Sequence, residues 1–148
     1  MPAIAYGSDY GGWWIRTDVL NRDSTVYSVG IGQDITFDVG LIQRFGLTVY
    51  AFDPTRKCRE WLSHQQLPTH LVFSPVGVAD YDGLGSFVLR SRPDCDSYEL
   101  NVPVSGSFDN EDLPVARLAT LMRRLGHQHL DVLKLDIEGS EYGVRATA

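Results

Sequence analysis

The stretch VYSVGIGQDITFD, from Val26 to Asp38, carries the pattern from which the rest of the chain can be interpreted. An apolar, β-prone run ends at Gly30, a second glycine follows at Gly32, and the acid Asp34 comes directly after the turn. Apolar residues at helical spacing continue from there to a natural helix stop at Gly46. The stretch is therefore typical of a strand, a tight glycine turn and a helix.

The same alternation of strand and helix patterns continues along the chain. It predicts strands at 25–29, 47–52, 71–78 and 130–135, and helices at 34–45 and 55–66. The region 80–110 is rich in Gly, Ser, Asp and Pro and is interpreted as a hairpin. A last helix is predicted to begin at Asp112 as its cap, with Pro114 in the first turn and Gly126 as the stop.

This order of elements predicts an α/β fold with a mainly parallel sheet and helices on both faces. Parallel strands are buried on both sides, which explains a run such as LTVYAF that does not alternate between apolar and polar residues. With 148 residues, the chain is long enough for one domain with a real core, so residues 1–148 are interpreted as a single domain.

Composition excludes some classes of protein. A formal net charge of -6 repels phosphate backbones, so no general nucleic-acid binding is expected. Two distant cysteines, Cys58 and Cys95, form neither a metal pattern nor a disulfide scaffold, which favours a reducing, cytoplasmic setting. No apolar run could span a bilayer and the start does not resemble a signal peptide, so no membrane segment is expected.

Glycines or acids follow each predicted strand. In an open parallel sheet, ligands bind beyond the carboxyl ends of the strands, so four such ends in register indicate a ligand site there. The four segments are 30–34, 53–54, 77–80 and 136–139.

Asp53 limits the choice of ligand. It follows Gly32 by 53 − 32 = 21 residues and ends the second strand, where a carboxylate can accept hydrogen bonds from ribose hydroxyls. The third glycine that dinucleotide binders carry is Ile35 here, and Asp34 would compete with a pyrophosphate for the helix N-terminus. S-adenosylmethionine has a ribose and an amine but no phosphate, so electrostatics favours it over NAD.

Four strings together, VYSVGIGQDITFD, VYAFDPT, PVGVAD and LDVLKLDIEGSEY, resemble the FkbM-like family of S-adenosylmethionine-dependent methyltransferases. The resemblance implies a Rossmann-like class I methyltransferase fold and O-methylation of a hydroxyl on a small metabolite or glycan. It implies that Gly30, Gly32 and Asp34 line the methionine end of the cofactor and that Asp53 holds the ribose. Val78, Ala79 and Asp80 would border the adenine, and Asp136 would lie near the transferred methyl. Glu138, in the same group of acids, is the second catalytic candidate.

The chain departs from this family in two ways. Many class I methyltransferases carry an acid two residues before the first motif glycine, where this chain has Ser28. Their sheet normally has seven strands, whereas four are counted here before the chain stops just after DIEGSEY. We therefore expect a truncated domain without its late strands and without much of the acceptor pocket.

Other interpretations of these residues and of the chain remain open. Asp34 could be a helix cap, Asp80 a turn residue, and the acids Asp136, Glu138 and Glu141 could bind a divalent metal, act as a base or cap a helix. No metal is included in the preferred interpretation. The alternatives to a methyltransferase are a non-catalytic remnant or interaction module of the same fold and an NAD-dependent oxidoreductase.

Overall fold

A computed structural model describes residues 3–9, 12–91, 96–100 and 110–137. Its strands are β1 (Ala3–Tyr6), β2 (Trp13–Arg16), β3 (Thr25–Val29), β4 (Thr48–Phe52), β5 (Leu71–Ser74), β6 (Gly77–Val78), β7 (Gly83–Ser91), β8 (Asp96–Leu100), β9 (Asn110–Ala116) and β10 (Val132–Leu135). Its helices are α1 (Thr36–Phe45), α2 (Arg56–Ser63) and α3 (Leu118–Leu125).

The central sheet has four strands in the order β10-β3-β4-β5. All three pairings are parallel, and β3 is aligned with β4 over five residue pairs from Thr25 and Thr48 onward. The predicted parallel sheet and its alternation with helices are therefore confirmed. Because the strands run the same way, their carboxyl ends lie at one edge of the sheet.

Helices cover both faces of this sheet. Val26, Val49 and Ala51 pack in one apolar cluster with residues of α1 and α2. The alternate residues Tyr27 and Phe52 pack on the opposite side against α3. The alternation follows from the strand period of two, and burial on both faces explains why these strands are apolar throughout.

A second sheet has the order β6-β9-β7-β8. Its strands β7 and β8 pair antiparallel, which confirms the hairpin predicted between residues 80 and 110. β9 pairs antiparallel with β7 and parallel with the short β6.

The predicted start of the last helix is wrong. Asp112 and Pro114 lie in β9, and the helix begins only at Leu118. Side-chain burial alternates from Asp112 to Val115, with Leu113 and Val115 buried and Asp112 and Pro114 exposed, so a period of two prevails over the capping pattern. β6 pairs only further along β9, so the missing N–H of Pro114 interrupts no ladder on that side.

The third predicted strand is also corrected. β5 ends at Ser74, and Gly77–Val78 belongs to the other sheet as β6. Pro75 lies between the two, and its fixed φ and missing N–H account for the break.

Residues 3–6 and 13–16 form the antiparallel hairpin β1–β2 on the α1 side of the sheet. Tyr6 packs on α1, with its ring 6.2 Å from that of Phe45 and its side chain beside Gly40. On β2, Trp14 is 75% exposed and Trp13 is 40% exposed. Within the described ranges, the helices are too short and too polar to cross a lipid bilayer.

Candidate functional site

The carboxyl edge of the parallel sheet brings three of the sequence-predicted segments together through backbone hydrogen bonds. The N–H of Gly30 donates to the carbonyl of Phe52 at 2.9 Å, and the N–H of Asp136 donates to the carbonyl of Val29 at 3.1 Å. The N–H of Asp53 reaches the carbonyl of Ser74 more loosely, at 3.4 Å. Gly30, Asp53 and Asp136 therefore leave adjacent strands at the same level.

The two glycines of the turn face different surroundings. Gly30 has φ +76, and a Cβ on it would lie 2.0 Å from the carbonyl oxygen of Asp136, so this glycine is required by close approach to the neighbouring strand. Gly32 has φ +56, but a Cβ there would have no atom within 4 Å. The space beside Gly32 is open, and a ligand can approach the backbone there.

Asp53 holds the glycine turn. Its Oδ2 accepts a hydrogen bond from the N–H of Gly32 at 3.0 Å. Its Oδ1 accepts from both the N–H and the hydroxyl of Thr55, at 2.9 and 2.6 Å. Thr55 in turn caps α2 by accepting from the N–H of Cys58 at 3.4 Å. The carboxylate is 6% exposed and thus links the turn after β3 to the start of α2.

The hydrogen bonds of Asp53 bear directly on the predicted ribose contact. A carboxylate offers about four acceptor positions, and the described residues occupy three of them. The remaining position is on Oδ2, the oxygen that already contacts the open glycine Gly32. One ribose hydroxyl can bind there without disturbing the turn, whereas a second would have to compete with Thr55.

Asp34 lies at the other end of the turn and is half-buried. Its Oδ1 accepts from the N–H and the hydroxyl of Thr36 at 2.9 and 2.6 Å, and its Oδ2 accepts from the hydroxyl of Ser8 at 2.5 Å. Burial alone would raise its pKa, but these hydrogen bonds outweigh burial and lower the pKa of Asp34. The group is therefore an anion at neutral pH, and it satisfies the first N–H of α1 as a cap would.

The segment predicted to border an adenine lies beside this edge. Gly77 packs against Pro54: a Cβ added to Gly77 would lie 3.2 Å from Cγ of Pro54. This contact brings β6 next to the turn that contains Asp53. The side chains of Val78 and Ala79 are 3% and 1% exposed, so they pack into the protein, whereas Asp80 is exposed. The adenine contact stays a prediction.

Asp136 is exposed directly after β10, beside Gly30. The other catalytic candidate, Glu138, and the neighbouring Glu141 lie outside the described residues. In the described part of the chain, no three His, Cys, Asp or Glu side chains are grouped so as to hold a metal ion.

The structure adds polar residues at this edge that the sequence analysis did not select. Ser8 reaches Asp34 from the β1–β2 connection, and Thr55 binds Asp53. Lys134 and Asp38 are buried on the α1 face, at 6% and 0% exposure. A lysine inside an otherwise apolar strand, LKL, was a visible signal, since a fully buried lysine is rare unless it is paired.

Comparison with known families identifies the family to which the chain belongs. The sequence profile described as "Methyltransferase FkbM domain" matches residues 30–144, which is most of the chain. The chain belongs to the FkbM methyltransferase domain family. The match includes the glycine turn, Asp53 and the end of β10, and it confirms the resemblance drawn from the four sequence strings.

A human protein described as "Probable methyltransferase-like protein 24" is 29% identical to this FkbM domain over 127 residues. The alignment covers 85% of this chain but only 28% of that protein. No solved structure gives a significant match to the chain.

Proposed function

We propose that this FkbM domain binds S-adenosylmethionine at the carboxyl edge of its parallel sheet and transfers the methyl group to a hydroxyl of a small metabolite or glycan. The observation that carries the proposal is the contact between the N–H of Gly32 and Asp53 beside the open space at Gly32. Family membership supports the class of reaction, and the geometry supports the place.

The charges at this edge fit the proposed ligand better than a phosphate-bearing one. Asp34 and Asp53 place two carboxylates on either side of the glycine turn. Such a site repels a pyrophosphate and attracts the amine and the sulfonium of S-adenosylmethionine. Asp53 accepts a ribose hydroxyl through its free position on Oδ2, and Asp34 faces the amine.

When bound, S-adenosylmethionine supplies an electrophilic methyl group on a positively charged sulfur. In the proposed transfer, the methyl carbon would bind the acceptor oxygen as its bond to sulfur breaks, and the electron pair of that bond would stay on sulfur. The chain's main contribution is to hold the two reactants in line. Asp136 is exposed and its backbone carbonyl lies beside Gly30, and we assign to its carboxylate the acceptance of the hydroxyl proton. Glu138 is the second candidate for that step.

Calorimetric titration with S-adenosylhomocysteine tests the cofactor site, with NAD as the competing ligand. We expect saturable binding of S-adenosylhomocysteine and none of NAD. Binding of NAD alone would favour an oxidoreductase, and binding of neither ligand to the folded chain would favour a non-catalytic module.

Two glycine variants locate the site within the same experiment. Gly32→Ala places a methyl group in the open space, so it should lower the affinity for S-adenosylhomocysteine more than tenfold. Because Gly32 has a positive φ, the same substitution should lower the free energy of unfolding by only about 1 kcal/mol. Glu60→Gln, at an exposed acid on α2, is the matched control and should bind like the unmodified chain. Equal affinity in Gly32→Ala and Glu60→Gln would show that the ligand does not approach this turn.

A further inference from the structure

Three buried polar side chains lie on the α1 face of the sheet, just below the glycine turn. They are Ser28 on β3, Asp38 in the first turn of α1, and Lys134 on β10; we call them the buried charge cluster. Ser28 and Asp38 are 0% exposed, and Lys134 is 6% exposed. Lys134 is in register with Ser28 across the two parallel strands.

The hydrogen bonding of this cluster is incomplete in the part of the chain that the structure describes. The hydroxyl oxygen of Ser28 and both carboxylate oxygens of Asp38 have no hydrogen-bond partner of good geometry there. Ser28 is still near enough to oppose the rise that burial causes in the pKa of Asp38. A buried carboxylate without a direct partner is costly, so its presence calls for a compensating charge.

Lys134 supplies that charge. Its Nζ lies 5.6 Å from the ring centre of Phe37 and 5.9 Å from that of Trp13. Aromatic faces at this distance attract an ammonium group. Among the described residues Lys134 makes no ion pair with an acid within 4.0 Å, so its charge acts over longer distances, and it lowers the pKa values of both Asp38 and Asp34.

Lys134 therefore influences two carboxylates that have different surroundings. Asp34 is half-buried at the glycine turn, where the proposed ligand places its amine, whereas Asp38 is sealed inside. With both carboxylates ionised, the three charges sum to −1 − 1 + 1 = −1, which suits a cationic amine. Without the charge of Asp38 the sum is zero, and Lys134 would neutralise Asp34 alone.

We propose that Asp38 is a positioning residue for the amine of the ligand, because its buried carboxylate offsets the positive charge of Lys134 and so keeps the net charge beneath the glycine turn negative. Asp38 does not touch the ligand; it acts through Lys134 and Asp34. The inference rests on the proposed function, since it assumes that the ligand carries an amino-acid end at this turn.

The test compares two ligands that differ in that end. S-adenosylhomocysteine carries the amine, whereas 5′-methylthioadenosine has the same nucleoside and sulfur but lacks the amino acid. Calorimetry on the full chain would measure both affinities for the unmodified protein, for Asp38→Asn, and for the double variant Asp38→Asn with Lys134→Met. Circular dichroism would confirm that each sample is folded.

We expect Asp38→Asn to lower the affinity for S-adenosylhomocysteine about tenfold and the affinity for 5′-methylthioadenosine less than about twofold. The reason is that only S-adenosylhomocysteine carries the positively charged amine. The double variant removes both buried charges and should restore the affinity for S-adenosylhomocysteine to within about threefold of the original. A residue that only supports packing would weaken both ligands alike, and removing a second buried group would not restore binding.

The outcomes separate the two proposals. Normal binding of S-adenosylhomocysteine to Asp38→Asn, or equal loss of both ligands, overturns the role of Asp38 and leaves the proposed function intact. If the unmodified folded chain binds neither ligand, both proposals fail. If Asp38→Asn does not fold, the double variant decides, because it contains no unpaired buried charge: loss of preference for S-adenosylhomocysteine in it overturns the inference.

Discussion

The two faces of the parallel sheet are both buried under helices, but they differ in the polar groups that they contain. On the α3 face, Tyr27 and Phe52 form an aromatic layer with rings 5.0 Å apart, and the hydroxyl of Tyr27 pairs with Nδ1 of His127 at 2.7 Å. On the α1 face, Asp38 and Lys134 place opposite charges inside an apolar cluster without a direct contact. The α3 face is thus held by aromatic and apolar packing, whereas the α1 face contains a costly buried carboxylate beneath the candidate site.

The largest expected effect is on the α1 face. Lys134→Met leaves the carboxylate of Asp38 buried without compensation, which should lower the free energy of unfolding by about 3 to 5 kcal/mol. Chemical denaturation followed by circular dichroism would measure the loss.

The double variant Lys134→Met with Asp38→Asn is the control for this prediction. It should recover most of the lost stability, because neither charge then remains. A single variant as stable as the original chain would show that Lys134 and Asp38 do not depend on one another.

The α3 face should respond to truncation differently. Leu121 is 4% exposed in the aromatic cluster, and Leu121→Ala should cost about 3 kcal/mol through lost burial and the cavity left behind. No second substitution is expected to rescue it, and its effect should add to that of Lys134→Met. Strong coupling between the two variants, measured by the same denaturation, would contradict the separation of the faces.

A smaller effect is expected from Tyr27→Phe. The aromatic packing is retained, and only the hydrogen bond to His127 is lost, so the cost should be about 1 kcal/mol. Burial raises the pKa of Tyr27 to about 12, so the hydroxyl remains protonated in the ordinary pH range. A thermal melt would detect the change, and a loss as large as that of Leu121→Ala would mean that the aromatic layer itself had moved.

The smallest expected effect is on the pH dependence of stability, to which Asp82 and Asp38 contribute with opposite signs. Asp82 accepts hydrogen bonds from the backbone and side chain of Arg117 and from the hydroxyl of Thr120 at the start of α3, and these bonds lower its pKa to about 2. Its contribution is present above the ordinary value of 3.8 and is lost as the pH falls toward 2. Asp38 has the opposite sign: burial raises its pKa, so ionisation above 3.8 opposes folding.

Acid denaturation profiles would measure how Asp82 and Asp38 each contribute to the pH dependence of stability. Asp82→Asn should flatten the loss of stability between pH 4 and pH 2, roughly the window set by the cited pKa. Asp38→Asn should not flatten that loss. Identical profiles for Asp82→Asn and the unmodified chain would show that the Arg117 contacts do not persist in solution.

Much of the fold was predictable because its signals are local. The apolar runs between Val26 and Asp38 indicate a strand and a helix, and two closely spaced glycines between them usually mark a turn. The parallel order followed from alternation alone. The errors arose where local signals compete: Asp112 and Pro114 are suited to a helix start, but pairing with β7 makes them part of a strand.

Within the candidate site, the sequence indicated one contact that the structure contains and missed others. Asp53 was selected by its spacing from Gly32, and the structure joins the two at 3.0 Å. The hydrogen bonds of Asp34 with Ser8 join residues 26 positions apart, and no periodicity in the sequence indicates them. Lys134 was missed although a lysine inside an apolar strand is unusual, and Asp38 was missed because an acid in the first turn of a helix is ordinary.

The sequence by itself determined the alternating elements, the glycine turn and the acid at the end of the second parallel strand, because each depends on residues close along the chain. Only the tertiary structure decided that Gly30 is held by the carbonyl of Asp136 while Gly32 stays open, and that Asp38 and Lys134 share one buried space. The reason is that charges and steric contacts act through space, and the sheet brings together residues 96 positions apart, 134 − 38, that the sequence keeps separate.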